Sequence, residues 1–212
     1  WERARGLPED DDERLGAMSC LAMALEEEHD HAAALPLFEQ VLVVDRRSNG
    51  DLHPATLTCI YNLADTHVQM GNPRLALPLA EECLPGYRQT LGEEHERPLK
   101  AMSQLSHVHL DMGNCDKALP LARRALEAHR QTLGNEHTIT LISISRVSVI
   151  LDRMGNKEAA RVLQELADQN KGVAFRVGDG AGESAARASR ATRTRAVSYT
   201  HLRAPEAEAE LV

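Results

Sequence analysis

The feature that most constrains this chain is a step of 42 residues. His53, His95 and His137 keep that spacing, as do Met70, Met112 and Met154, then Gly71, Gly113 and Gly155, then Asn72, Asn114 and Asn156. The heptapeptide QTLGEEH at 89–95 returns as QTLGNEH at 131–137. LPL at 35–37, 77–79 and 119–121 brings a more diverged first unit into register, and Gly50, Gly92 and Gly134 close three units. Several unrelated residue types sharing one period mark a stacked repeat. The array is expected over 9–50, 51–92, 93–134 and 135–170, after a partial lead-in at 1–8.

Within each unit the apolar spacing is helical. Leu57, Ile60, Ala64, His67 and Val68 fall on one face of a helix. Met70-Gly71-Asn72 then ends it, because Gly and Asn accept the left-handed conformation of helix ends, and Pro73 suits the first turn of the next helix. Leu75, Leu79, Cys83 and Leu84 are expected as the buried stripe of that second helix. A single hairpin buries only part of its apolar surface, so neighbouring hairpins complete the core. Pro36, Pro78 and Pro120 sit a few residues inside the second helices, where proline removes a hydrogen bond; either those helices start late or a bend belongs to the unit. Pro85-Gly86 predicts a further kink or an early stop in the second unit alone. With 42% hydrophobic residues but only 3% aromatics, a core of Leu, Ala, Val, Ile and Met leans all-α.

The stretch LTCIYNLADTHVQMGNPRLALPLAEECLPGYRQTLGEEH resembles the tetratricopeptide repeat, specifically the 42-residue variety of kinesin light chain. The family's leucine–small pair on the first helix is matched by Leu21-Ala22, Leu63-Ala64, Leu105-Ser106 and, more weakly, Val147-Ser148. Its small residues on the second helix are matched by Ala34, Ala76, Ala118 and Ala160, and again by Ala125 and Ala167. Small side chains let paired helices approach. Of the family's large aromatics Phe38 remains, while Ala80, Ala122 and Gln164 replace the others. The resemblance covers 9–170 and implies an all-α, right-handed α-solenoid of stacked helix-turn-helix repeats.

Ten histidines invite a metal or acid–base reading. His29/His31 and His107/His109 are H-x-H pairs, and on a helix residues two apart point to different faces. Zinc needs converging ligands that these spacings do not supply. His53, His95 and His137 are expected to help start the first helix of each unit. No catalytic constellation and no phosphate loop is present, since T-L-G-x-E-H has a single glycine followed by carboxylates. No enzyme activity, cofactor or metal is expected.

The resemblance instead directs attention to the concave side, lined by first helices. Its groove positions fall on Ser19, Met23 and Glu27 in the first unit, and on Tyr61, Asn62, Asp65 and Gln69 in the second. They continue at Lys100, Ser103, Gln104, His107 and Asp111, then at Ser145, Arg146, Val149 and Arg153. The family's peptide-contacting asparagine is kept at Asn62, becomes Gln104 and turns into Arg146. An amide donates and accepts at once, so it suits an extended peptide backbone. Charge runs from acidic Glu27 and Asp65 to basic Arg146 and Arg153, which orients a ligand. The plain alternative is that these are solvated helix residues. The implied function is a protein-interaction scaffold binding a peptide or partner protein, with an adaptor role of the kinesin light chain kind. The alternative is a structural or oligomerising arm of a larger multidomain regulator with no peptide ligand.

The formal charge of −8 argues against a general nucleic-acid binder. Residues 1–170 hold 17 Lys/Arg against 27 Asp/Glu, while 171–212 hold 7 against 5. The Gly/Ala/Ser/Arg-rich segment 171–196 reads as disordered. Within 197–212, VSYTHLRA resembles the translation of a transposase-type sequencing adapter, so this stretch is expected to be non-native. Four cysteines without C-x-x-C spacing, no signal peptide and no long apolar run point to a cytoplasmic protein and no membrane span. A start at Trp1 and a fourth unit without a polar cap suggest a fragment of a longer array, one that self-associates through its exposed last helix.

Overall fold

The computed structural model describes residue 8 and residues 12–178. Eight helices follow one another: α1 Asp12–Glu27, α2 His31–Asn49, α3 Pro54–Gln69, α4 Pro73–Leu91, α5 Glu96–Asp111, α6 Cys115–Leu133, α7 Thr138–Arg153 and α8 Lys157–Gly178. The starts of α1, α3, α5 and α7, and those of α2, α4, α6 and α8, are each 42 residues apart. The chain divides into two compact units, Trp1–Leu121 and Ala122–Val212.

Each hairpin turn is the same hydrogen-bonded device. After α3, Gly71 has φ 73°, its N–H donates to the Val68 carbonyl at 2.9 Å, and Asn72 N–H donates to the His67 carbonyl at 2.8 Å. This paired bonding caps the last carbonyls of a helix and needs a left-handed residue. Gly113 and Gly155 repeat it. In the first hairpin His29 takes the glycine's place at φ 61°, with Asp30 N–H donating to the Leu25 carbonyl at 2.8 Å. His29 therefore belongs to a turn rather than a helix. Its ring meets that of His31 edge-on at 5.9 Å, where a shared helix would have separated the two.

The first helices start on histidine, as their recurrence suggests. Nδ1 of His53, His95 and His137 accepts the backbone N–H of Ala55, Arg97 and Ile139 at 3.3, 3.2 and 3.2 Å. An acceptor there satisfies one of the unpaired N–H groups of a first turn.

Inside the first unit α3 lies between α2 and α4, and α4 packs on α5. The small–small pattern marks the close contacts: Ala22, Ala34, Ala64, Ala76, Ser106 and Ala118 are all fully buried. Where serine replaces alanine, its hydroxyl finds the facing helix, Ser106 Oγ donating to the Ala118 carbonyl at 3.0 Å. In the second unit Ser148 Oγ donates to the Ala160 carbonyl at 2.7 Å.

The structure corrects one expectation about second helices and narrows two. Leu75 is 56% exposed and Leu79 only half-buried; the buried stripe of α4 is Ala76, Ala80, Cys83, Leu84, Gly86 and Tyr87. The helix begins two residues before Leu75, which turns that residue outward. Pro36, Pro78 and Pro120 lie within α2, α4 and α6, so those helices do not start late. All three prolines are exposed, which leaves each unbonded carbonyl open to water. Pro85-Gly86 does not stop α4. A Cβ on Gly86 would lie 2.5 Å from Leu57 Cδ2, so the glycine lets α4 close on α3.

α8 continues to Gly178, past the expected array end at residue 170. No proline interrupts it, and a glycine within a helix costs only about 1 kcal/mol. Residues 179–212, with most of the expected tail and all of the adapter-like stretch, lie outside the described residues, as does most of the lead-in. No described helix is long and apolar enough to cross a membrane.

Candidate functional site

In the first unit the expected groove residues lie on α1, α3 and α5, and side chains from all three helices converge on Asp65. This carboxyl is pushed above its usual range first by burial. Hydrogen bonds from Gln104 and Gln69 and the charge of His107 pull it down, while Glu26 pushes it up. The sequence pattern pointed to Glu27, which is exposed; its neighbour Glu26 is the residue brought near Asp65. Glu26 also holds His31, Oε1 to Nδ1, at 3.0 Å.

Gln104 is the most committed member of the set. It is 5% exposed and its Nε2 donates to the Tyr61 carbonyl at 3.0 Å, tying α5 to α3. Its Oε1 is buried without a partner among the described residues, a costly state for an acceptor. The amide expected to reach a ligand also braces two helices. His107 Nε2 lies 3.6 Å from Asp111 Oδ2 one turn on, and Ser103 is half-buried beside them in sequence. Met23, Gln69 and Lys100 are exposed, while Ser19, Tyr61 and Asn62 are half-buried.

A cavity of about 250 Å³ opens beside this row, lined by Thr58, Tyr61 and Asn62 of α3, Tyr87 of α4, the cap His95, and Glu96, Arg97 and Lys100 of α5. Three of these, Tyr61, Asn62 and Lys100, are expected groove residues. The rest come from elsewhere. Arg97 Nη1 donates to Thr58 Oγ1 at 2.7 Å and to the Tyr87 hydroxyl at 3.2 Å, and its guanidinium carbon lies 5.9 Å from the Tyr87 ring centre. Thr58 Oγ1 donates to the Pro54 carbonyl at 2.7 Å and accepts from the Tyr87 hydroxyl at 3.4 Å. Lys100 Nζ pairs with Glu96 Oε1 at 2.6 Å, and this bond, then the ammonium charge, holds the Glu96 carboxyl below its usual range.

Tyr87 and Arg97 carried a sequence signal that periodicity alone passes over: each is polar where the next unit has another residue type, His129 and Ile139. A second cleft of about 330 Å³ lies between α1 and α2, lined by Leu15, Met18, Pro36, Val43 and Val44 with Arg14, Glu39 and Gln40. It holds none of the expected residues.

In the second unit the expected residues share α7. Ser145 and Arg146 are half-buried, Val149 is 44% exposed and Arg153 is exposed in the last turn. Arg146 and His137 lie close enough to His129 for their charges, after burial itself, to lower its basicity. Among the described residues no three of His, Cys, Asp and Glu are grouped to hold a metal ion.

The model of the tetratricopeptide repeat matches residues 13–89 and again 90–167. The fold is similar to the nearly identical TPR-like repeats of a candidate kinesin light chain from Podosopora anserina. One such crystal structure, of a point variant, is 24% identical, with a TM-score of 0.70 over 82% of each chain. It is also similar to BtubC (BKLC) from P. vanneervenii, at 17% identity and a TM-score of 0.71 over 85% of this chain and 71% of that one. A MamA RS-1 double mutant matches at 13% identity and a TM-score of 0.58, over 81% and 80%. No curated protein matches the sequence.

Proposed function

We propose a function from one plain premise: the chain belongs to the tetratricopeptide repeat family, whose repeats are non-catalytic interaction scaffolds, folded here like those of kinesin light chain type. This chain binds an extended peptide segment of a partner protein along the first helices of its first unit. One observation carries the reading. A continuous row of amide, hydroxyl and charged side chains crosses α3 and α5 and borders a cavity of about 250 Å³. Asn62 is its centre, half-buried, with an amide that can both donate to and accept from a peptide backbone. Neither nucleic acid nor membrane is its partner, and it works without catalysis, as an adaptor.

The cytoplasm is the compartment this chemistry fits. All four cysteines are free thiols, and burial pushes Cys59 and Cys83 up to about 12, with Sγ donating to the Phe38 and Leu57 carbonyls. Such thiols behave as small apolar groups that need no disulfide partner.

A peptide array over the purified chain tests the assignment. Specific peptides bind, and Asn62→Ala weakens them about tenfold, the loss of one well-made interaction of about 1.4 kcal/mol. Unchanged affinity in that variant, or an array without specific ligands, sinks the reading. A second reading, self-association, is favoured by Val162 and Leu166, which leave 46% and 37% of their surface exposed one turn apart on α8. It predicts a concentration-dependent dimer that Leu166→Glu disperses in sedimentation.

A further inference from the structure

We propose that the cavity between α3, α4 and the start of α5 is a phosphoryl-binding site, and that it accepts a phosphorylated serine or threonine of the bound peptide. The source of the phosphoryl group rests on the peptide reading above; the site itself does not.

The lining carries donors suited to an anion: the Arg97 guanidinium, the Lys100 ammonium and the Asn62 amide. Arg97 is already held in place. Both of its hydrogen bonds, to Thr58 and Tyr87, leave through Nη1, and its guanidinium lies against the Tyr87 ring. Nε and Nη2 remain without a partner among the described residues, the pair of parallel donors that suits two oxygens of a phosphate. Among the described residues Lys100 pairs with the exposed Glu96, a contact that solvent screens and a dianion can displace. A carboxylate offers two oxygens and one charge to this set, while a phosphate offers three oxygens and nearly two charges.

The register argues that the set is not generic packing. One unit earlier, Tyr87, Arg97 and Lys100 correspond to Asp45, Ala55 and Thr58; one unit later they correspond to His129, Ile139 and Ile142. The backbone of this joint recurs, but its cations and phenol occur once. Arg97 and Lys100 are also both exposed, so neither supports the core. At about 250 Å³ the cavity is small for a drug-like ligand and adequate for one phosphorylated side chain.

Degenerate peptide libraries with a fixed central phosphoserine or phosphothreonine, and twins carrying serine or glutamate there, test the proposal on the whole chain. The phosphorylated libraries are retained about tenfold better than either twin. Arg97→Met and Lys100→Met each abolish that preference. Equal retention of phosphorylated and serine libraries, equal retention of the glutamate twin, or a preference that survives both substitutions overturns it. If no library is retained, the peptide reading has failed, and phenyl phosphate decides the site by itself. Amide shifts at Thr58, Asn62 and Arg97 that vanish in Arg97→Met support it, and none at millimolar concentration removes it.

Discussion

Tyr87 and His129 occupy the same position of successive repeats, each facing a first helix that a histidine caps, yet the two joints are built for different ends. The backbone frames match: His95 and His137 accept from the second residue of α5 and α7 at the same 3.2 Å. Tyr87, itself buried, bonds to the more exposed Thr58 and Arg97 at the wall of a cavity. His129 is closed in. Its Nδ1 lies 2.9 Å from Ser143 Oγ, whose hydroxyl donates to the Ile139 carbonyl at 2.9 Å, so the imidazole nitrogen carries the hydrogen and donates. Thr140 Oγ1 donates to the His129 carbonyl at 3.3 Å and seals the joint further. The lesson is a division of labour. Residues that recur set the frame, and residues that break the repeat decide whether a joint is sealed or open.

Removing the ring at each joint is the strongest way to break this comparison. Tyr87 is 1% exposed, so Tyr87→Ala deletes a fully buried aromatic and is expected to cost about 3 kcal/mol or more of stability. His129→Ala is expected to cost less, because an imidazole buries less apolar surface. Urea unfolding measures both. A Tyr87→Ala cost no larger than that of His129→Ala would show that the phenol is not an anchor.

Acidification separates the joints next. Burial first, then His137 and Arg146, lower the basicity of His129 below the ordinary value of 6.5, so the folded state favours the neutral ring. The sign follows: this contribution is whole above 6.5 and is lost as pH falls through the lowered folded value. One proton gives a slope of at most about 1.4 kcal/mol per pH unit. His129→Gln, which keeps a donor for Ser143, should remove that part of the slope. His109 in the first unit has the same sign, lowered by burial and then by Lys117, with Glu81 opposing, and it serves as the independent control. The measurement is the difference between parent and variant. Identical pH profiles for the two proteins would contradict a buried neutral His129.

Much of the frame was legible because repetition removes ambiguity. Three histidines, three glycines and four alanines at one period leave little choice of helix ends or close contacts, and each of these features has its place in the structure. Phase along a second helix was less legible. Leu75 reads as core by composition, but a helix starting at Pro73 turns it outward. The candidate site was half legible. Asn62, Tyr61 and Lys100 follow from the register of the first helices, whereas Tyr87 and Arg97 enter from a second helix and a helix start, where no groove position was sought. Gln104 shows the limit of register arguments: its position fits a ligand contact, but its neighbours engage it as a brace.

The smallest test concerns the frame itself, at the one turn where the repeat is broken in the backbone's most demanding residue. His29 adopts φ 61° where Gly71, Gly113 and Gly155 adopt 73°, 78° and 85°. A side chain in that region crowds its own carbonyl, which glycine avoids. The hydrogen bonds of the turn are nevertheless intact, His29 N–H to the Glu26 carbonyl at 3.0 Å and Asp30 N–H to the Leu25 carbonyl at 2.8 Å. If recurring residues set the frame and the side chain at this point only strains it, His29→Gly should raise stability by about 0.5–1 kcal/mol. The gain stays small because glycine also loses more chain entropy on folding. The edge contact of His29 with His31 is the competing term, and thermal melting of His29→Gly beside His31→Ala weighs the two. A loss of stability in His29→Gly, matched by a similar loss in His31→Ala, would mean that the ring pair, rather than the turn, holds the first hairpin.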